Sequence, residues 1–367
     1  MRLGDRSRLM IVTALATVAV ATAACGPTGQ PPTATAPSAG TAPKAGTVSH
    51  TLTVGGHTRE YAVHVPAGTG TTPLPLVVQL HGGGGNDVNI ESQTGFYDLA
   101  DKDHFLVVSP NGTGGPLGKL LTWNAGWCCG QALNKQVDDV AFIGAVLDDL
   151  EAHYPVDPRR IYVTGFSNGA MMTYRLGCAL AGRIAAIAPV SGALDYDGCA
   201  PARPLPVLAI HGTADQNVPY DGGKGTDEGH RFPGQKDRVD RSVADSVGFW
   251  LKADGCPGEG AQQSSGSLKR TTYAPCSDGS EVVLDTIVGG GHAWPGGARI
   301  RPRAQEPSDA LDAKAEIWAF FSRHELPTTS ATATSAVTRT ATSAVTGPRP
   351  VGLTAPPLMD GRRSALA

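Results

Sequence analysis

A serine between two glycines is the clearest chemical signal in the sequence. Residues 165–169 read Gly-Phe-Ser-Asn-Gly, the pattern G-x-S-x-G. Residues 160–164 before it are β-branched and aromatic, as in a buried strand, and residues 170–176 after it lack Gly and Pro, as in a helix. A strand, a sharp turn and a helix form a nucleophile elbow, which exposes the serine hydroxyl at the end of a sheet. We therefore predict Ser167 to be a nucleophile.

A serine hydroxyl becomes a good nucleophile only when a histidine takes its proton and a carboxylate orients that histidine. Asp215 follows the apolar stretch 206–210, and His292 follows the apolar stretch 282–288 in a glycine-rich turn. Both stretches are typical of buried strands, and the carboxyl ends of parallel strands meet at one edge of a sheet. We predict Asp215 as the acid and His292 as the base.

Two other aspartates compete for the role of the acid. Asp195 and Asp197 also follow a predicted strand, over 184–190. Asp215 is preferred because its strand immediately precedes, in the sequence, the strand that leads to His292.

The stretches that must position these residues alternate between strand and helix patterns. A hairpin with a Gly-Gly turn is predicted over 49–66. Core strands are predicted at 74–80, 105–109, 160–164, 184–190, 206–210 and 282–288, and helices at 136–153, 170–176 and 308–324. Strands that alternate with helices indicate an α/β fold, with a mostly parallel central sheet and helices on both faces.

The composition argues against several classes of function. Charged residues make up 17% of the 367, and the net charge is −3. That balance does not suit a nucleic-acid surface, so we expect no nucleic-acid partner. The sequence has no central run of about 20 apolar residues, so we predict no internal membrane span. No C-x-x-C pair or cysteine–histidine cluster indicates a metal site.

The first 25 residues are predicted to be a signal peptide. Three arginines within the first eight residues precede an apolar segment at 9–20. The residues around Cys25 resemble a bacterial lipobox, which would lipidate Cys25 and attach the protein to a membrane. Thr22 stands where an aliphatic residue is usual, and cleavage after Ala23 is the alternative. In both cases we expect a protein exported to the cell surface or beyond.

The rest of the chain divides by composition into three segments. Residues 26–47, rich in Pro, Thr and Ala, are predicted to be a disordered tether. Residues 48–325 are predicted to be the catalytic domain. Residues 326–367 are predicted to be a disordered tail, in which Ala-Thr-Ser-Ala-Val-Thr occurs at 333–338 and again at 341–346.

Six cysteines besides Cys25 are expected to form three disulfides, because an exported protein meets an oxidising environment. They are Cys128, Cys129, Cys178, Cys199, Cys256 and Cys276. We favour the pair Cys256–Cys276, since both lie in turn-rich stretches around one excursion of the chain. The adjacent Cys128 and Cys129 leave two alternatives open: they pair with each other, or one of them reaches Cys178 or Cys199.

Five motifs, in this order, resemble those of a known enzyme family. They are His-Gly-Gly-Gly at 81–84, Trp-Cys-Cys-Gly at 127–130, the elbow at 165–169, His-Gly-Thr-Ala-Asp at 211–215 and His-Ala-Trp-Pro-Gly at 292–296. Together they resemble the secreted esterases grouped as poly(3-hydroxybutyrate) depolymerases and feruloyl esterases, within the α/β-hydrolase superfamily. The resemblance covers about 48–324.

The resemblance implies a serine esterase that uses no metal and no organic cofactor. It implies Ser167 as nucleophile, Asp215 as acid and His292 as base, in the order along the chain usual for α/β-hydrolases. It also implies that the backbone N–H groups of Gly83 and Asn168 form the oxyanion hole. The substrate would be a small ester, a polyester or a plant cell-wall ester.

Three tryptophans are candidate substrate contacts. Trp294 lies two residues after His292, so its indole is predicted to form a wall of the acyl or alcohol pocket. Trp123 and Trp127 flank the adjacent cysteines, where they either line a cleft or pack on a disulfide.

The leading functional prediction is hydrolysis of feruloyl-type or hydroxybutyrate esters through an acyl-enzyme, by a monomer. One alternative is a surface acyltransferase with the same three residues. Another is a binding protein built on an inactive hydrolase scaffold.

Overall fold

The computed structural model describes residues 43–115, 118–225, 238–300 and 304–328. The predicted signal peptide with Cys25, most of the predicted tether and nearly all of the predicted tail lie outside these residues. A first compact unit extends to Leu326, and of the remainder only residues 327 and 328 are described.

One sheet of ten strands runs through the described residues. The strands are β1 (Gly46–Val54), β2 (His57–Val65), β3 (Leu74–Leu80), β4 (Leu106–Pro110), β5 (Val156–Phe166), β6 (Ala186–Val190), β7 (Val207–Gly212), β8 (Ala261–Ser265), β9 (Leu268–Tyr273) and β10 (Val282–Ile287). Their order across the sheet is β1-β2-β4-β3-β5-β6-β7-β10-β9-β8. Six neighbouring strands are parallel, namely β4, β3, β5, β6, β7 and β10. The strands at the two edges, β1 with β2 and β9 with β8, pair antiparallel. The prediction of a mostly parallel α/β sheet is confirmed.

Helices cover both faces of the sheet, as predicted. They are α1 (Asp87–Thr94), α2 (Phe96–Asp103), α3 (Gly130–Asn134), α4 (Asp139–His153), α5 (Asn168–Leu180), α6 (Val243–Ala253) and α7 (Ala313–Phe321). One apolar core contains Phe142 of α4, Met171 of α5 and Trp250 of α6. A separate core contains Phe96 of α2 and Phe320 of α7. None of the helices in the described ranges is long and apolar enough to cross a bilayer.

Helix caps account for the differences at two predicted helix starts. The predicted helix 136–153 begins at Asp139, because the side chain of Asp138 caps it by accepting from Ala141 N–H at 2.9 Å. The predicted helix 308–324 is shorter, Ala313–Phe321, and Asp312 caps it in the same way through Ala315 N–H.

The hairpin of β8 and β9 was not predicted. Every residue of β8 is exposed, so the strand lacks the alternation of apolar and polar residues by which a half-buried strand is recognised. The disulfide Cys256–Cys276 closes the base of this hairpin, and that predicted pairing is confirmed. The other two disulfides are Cys178–Cys199 and the adjacent pair Cys128–Cys129.

Candidate active site

Ser167 occupies a sharp turn between β5 and α5. Its backbone φ is 57° and its ψ is −121°, a conformation that costs energy for a residue with a side chain. The turn is tight because both flanking glycines touch backbone: a Cβ at Gly165 would lie 2.6 Å from the backbone of Gly169, and a Cβ at Gly169 would collide with Leu80 O. The predicted elbow context is present, and the hydroxyl stands beside the N-terminus of α5, where the helix dipole favours negative charge.

The structure brings the three predicted residues together. His292 Nε2 lies 2.9 Å from Ser167 Oγ, and His292 Nδ1 lies 2.7 Å from Asp215 Oδ2. With its proton on Nδ1, the imidazole donates to the carboxylate and leaves Nε2 to accept from the hydroxyl. Such a chain can transfer the serine proton to the histidine as the oxygen attacks an acyl carbon.

Two backbone N–H groups and two imidazoles surround the Asp215 carboxylate. Oδ1 accepts from the backbone N–H groups of Asn217 and Val218, each at 2.9 Å. Oδ2 lies near His292 and 3.4 Å from His211 Nε2. Burial by itself raises the pKa of Asp215, but the two imidazoles hold that pKa well below its usual range. The side chain therefore stays ionised and keeps the orientation that His292 needs.

The two competing aspartates lie elsewhere. Asp195 is buried beside Asp240, and it accepts from Arg241 N–H at 3.0 Å. Asp197 has a side chain that is 73% exposed, and it contacts Arg241 and the indole N–H of Trp127. Within the described ranges neither of them contacts His292.

The two predicted oxyanion donors flank Ser167. Asn168 begins α5, directly after the serine. Gly83 lines the cavity at Ser167, in the loop that follows β3. Gly84 N–H donates to Leu121 O at 2.7 Å, which anchors this loop, whereas the structure shows no backbone acceptor for Gly83 N–H in the part of the chain that it describes. The geometry is compatible with two N–H groups directed at one substrate oxygen.

A cavity of about 690 Å³, counting space open to solvent, lies over Ser167 and His292. One wall is the side of α1 that carries Asn89, Ile90 and Gln93. The remainder of the lining carries both apolar and polar side chains. The apolar ones include Phe166, Ala293, Ala298 and Pro307. The cavity therefore suits an acyl group with an apolar body.

The predicted role of Trp294 is corrected by its position. Trp294 is 1% exposed, and its indole packs edge-on against Phe96 in the core between the sheet and the helices α2 and α7. It is not part of the cavity lining. The reason is that the chain turns between residues 292 and 294, so that neighbours in sequence face opposite sides.

Trp123 and Trp127 also lie off the cavity wall. Trp123 is buried, and its indole N–H donates to His81 O at 2.9 Å. Trp127 is 41% exposed, under the guanidinium of Arg241. Trp123 supports the loop after β3, and Trp127 lies at the surface.

Two contacts to the proposed base were not foreseen. The side chain of Gln305 accepts a hydrogen bond from His292 N–H, and the ring of Phe166 packs on the imidazole with centroids 4.8 Å apart. Gln305 lies in a polar, proline-containing stretch that offers no periodic signal, so only the tertiary structure shows its place.

In the described ranges, no group of three or more His, Cys, Asp or Glu residues is arranged to hold a metal ion.

Comparison with known proteins gives the family of this chain. Residues 69–244 match the family described as Phospholipase/Carboxylesterase. Feruloyl esterase B of Piromyces equi is 36% identical over 244 residues, which are 64% of this chain but 42% of that protein. Feruloyl esterase C of Emericella nidulans is 31% identical over 274 residues, which are 72% of this chain and 83% of that protein. The chain belongs to the carboxylic ester hydrolases of the α/β-hydrolase superfamily.

A solved structure supports the fold of this esterase family member independently. The acetyl xylan esterase of Aspergillus awamori superposes with a TM-score of 0.52 at 15% identity, over 75% of this chain and 99% of that one. At that identity the likeness concerns the fold alone. The two relatives confirm the predicted esterase family, and the solved structure confirms the predicted fold. The individual roles of Ser167, Asp215 and His292 stay predictions.

Proposed function

We propose that this esterase is a secreted serine hydrolase that cleaves carboxylic esters through an acyl-enzyme, with Ser167 as nucleophile, His292 as base and Asp215 as acid. The observation that carries the proposal is the unbroken chain of contacts from Ser167 Oγ through His292 to Asp215 at the wall of the cavity.

The proposed reaction has two halves. In the first, His292 Nε2 takes the hydroxyl proton while Ser167 Oγ bonds to the ester carbonyl carbon. The backbone N–H groups of Gly83 and Asn168 stabilise the negative oxygen of the tetrahedral intermediate. The intermediate expels the alcohol, which receives the proton from His292. In the second half, a water molecule repeats these steps on the acyl-enzyme and releases the acid.

The proposed substrates are esters whose acyl group has an apolar body, of the feruloyl type or, as the second class, hydroxybutyrate esters. The names of the two relatives support the feruloyl type. The apolar side chains around Ser167 suit the body of the acyl group in both classes. Export fits the three disulfides, since disulfides persist outside the reducing cytoplasm. Membrane attachment through Cys25 and a monomeric state complete the proposal.

Hydrolysis of methyl ferulate, p-nitrophenyl acetate and hydroxybutyrate oligomers, together with labelling by a fluorophosphonate probe, tests the proposal. Ser167→Ala should lose the labelling and about 10⁴-fold or more of the activity, because the attacking oxygen is gone. Ser265→Ala, on an exposed strand, is the matched control and should behave as the wild type. More than a tenth of wild-type activity in Ser167→Ala would overturn the assignment.

A further inference from the structure

Gln93 brings a primary amide to the wall of the proposed active-site cavity. The residue is 7% exposed and lines the cavity near Ser167 and His292. No hydrogen bond links its side-chain amide to any part of the chain that the structure describes. The side-chain amide is not fully enclosed by protein atoms, and the residue forms part of the cavity wall.

The neighbouring polar side chain on β3 shows the contrast. Gln79 is also buried, and its amide makes three hydrogen bonds, to Glu91, Ser109 and Thr94, at 2.8–2.9 Å. Burial of an amide without such bonds costs free energy. The protein therefore satisfies the side-chain amide of Gln79 with its own hydrogen bonds. The side-chain amide of Gln93 is left to bind another group.

The backbone fixes Gln93 firmly in place. Its carbonyl oxygen accepts from Ala298 N–H at 3.0 Å, which joins the last turn of α1 to another segment that lines the cavity. Asn86 caps the start of the same helix by accepting from Asn89 N–H at 2.8 Å. A side chain on such an anchored helix can recognise a group at a defined position.

The surroundings of the amide define the group that it recognises. Ile90, Phe166 and Ala298 line the same cavity and offer apolar surface for the body of an acyl chain. Arg299 and Gln305 bring polar side chains to the same lining. An amide offers one acceptor oxygen and two donor hydrogens, so its best partner is a group that both donates and accepts. A hydroxyl meets that requirement.

We propose that Gln93 is a specificity-determining residue that binds a hydroxyl group on the acyl part of the ester. The inference rests on the proposed function. A phenolic hydroxyl on a cinnamoyl group and an aliphatic hydroxyl on an alkanoyl group share this chemistry. A site built to hydrogen-bond a hydroxyl discriminates strongly against the analogue that lacks it, because its buried polar group is then left unpaired.

Two matched pairs of esters test the inference. Methyl 4-hydroxycinnamate is compared with methyl cinnamate, and methyl 3-hydroxybutyrate with methyl butyrate, as ratios of kcat/KM. The wild type should prefer the hydroxylated member of at least one pair by about 10-fold or more, and that pair identifies the source of the hydroxyl. Gln93→Met, which keeps the length and removes the polarity, should bring this ratio close to one.

Gln263→Met is the matched control, since Gln263 lies on the exposed strand β8, and it should keep the wild-type ratio. Methyl 4-methoxycinnamate, whose oxygen only accepts, should fall between the two cinnamates with the wild-type enzyme. This comparison tests the inference even if Gln93→Met fails to fold.

The outcomes separate the two proposals. An active wild type that shows no preference in either pair, or a Gln93→Met ratio equal to the wild-type ratio, overturns the inference and leaves the proposed function standing. A wild type that cleaves none of the esters tested here or above overturns both.

Discussion

The side chain of Asn168 and the backbone of Trp123 bind each other through two hydrogen bonds. Trp123 N–H donates to Asn168 Oδ1 at 2.7 Å, and Asn168 Nδ2 donates to Trp123 O at 3.1 Å. The residue after the proposed nucleophile is thus joined to a segment 45 residues earlier in the chain. These two hydrogen bonds hold the start of α5 in place, and with it the backbone N–H of Asn168, a proposed oxyanion donor.

Asn168→Ala should lower both stability and kcat. The residue is 3% exposed, so its loss leaves the buried N–H of Trp123 without a partner, at a cost of roughly 1–3 kcal/mol. Trp123 O keeps the hydrogen bond that it accepts from Cys129 N–H at 2.9 Å. Asn168→Asp keeps the oxygen that accepts from Trp123 N–H. Its stability and kcat should therefore lie between those of the wild type and those of Asn168→Ala. Thermal melting and steady-state kinetics measure the effects. An exposed counterpart, Asn134→Ala, should be silent; equal effects of the two alanine variants would contradict the structural role of the pair.

Asp215→Asn should reduce kcat by about 10⁴-fold with little change in folding, because the amide presents the wrong partner to His292 Nδ1–H and favours the other tautomer. Asp197→Asn is the control, since its side chain is largely exposed and contacts the surface residues Arg241 and Trp127. Kinetics on p-nitrophenyl acetate measure both. A large loss in Asp197→Asn together with a small one in Asp215→Asn would make Asp197 the acid.

Asp195 should make the stability of the protein depend on pH. Burial and the neighbouring Asp240 raise the pKa of Asp195 from 3.8 to about 8. Between these values the folded protein retains a proton that the unfolded chain releases. The free energy of unfolding therefore falls as the pH rises through this window, and the contribution of this group is lost above pH 8.

Asp195→Asn removes this titration, so its melting temperature should decline less than that of the wild type between pH 5 and pH 8. Burial also raises the pKa of Asp254, to about 7. Titration of Asp254 should therefore leave part of the pH dependence of the melting temperature in Asp195→Asn. Melting curves across the range measure the difference, with Asp197→Asn as the reference. An Asp195→Asn slope as steep as that of the wild type would show that Asp195 ionises normally.

Trp294→Ala should destabilise the protein by about 3–5 kcal/mol, because it removes a large, fully buried side chain. Since the indole packs on Phe96 and lies off the cavity wall, kcat/KM for aromatic and acetyl esters should change in the same proportion. Denaturant unfolding and the two kinetic constants provide the test. A selective loss on aromatic esters, with normal stability, would return Trp294 to the pocket.

The sequence by itself determined the features that depend on neighbouring residues. β3 coincides with its predicted range 74–80, and the hairpin of β1 and β2 turns at the two glycines as predicted. The context of Ser167 could be predicted for the same reason: a buried strand, a turn with two close-packed glycines and a helix leave their patterns within about 20 consecutive residues.

Tertiary structure decided which distant side chains meet. Asp195, Asp197 and Asp215 all follow strands in the sequence, and only the packing of β6, β7 and β10 directs one of them to His292. It also turned Trp294 into the core, and it placed Gln93 and Gln305 in the cavity from segments without a recognisable pattern. Local periodicity reports which face of an element is buried, but not which element lies opposite, because that depends on contacts between residues far apart in the chain.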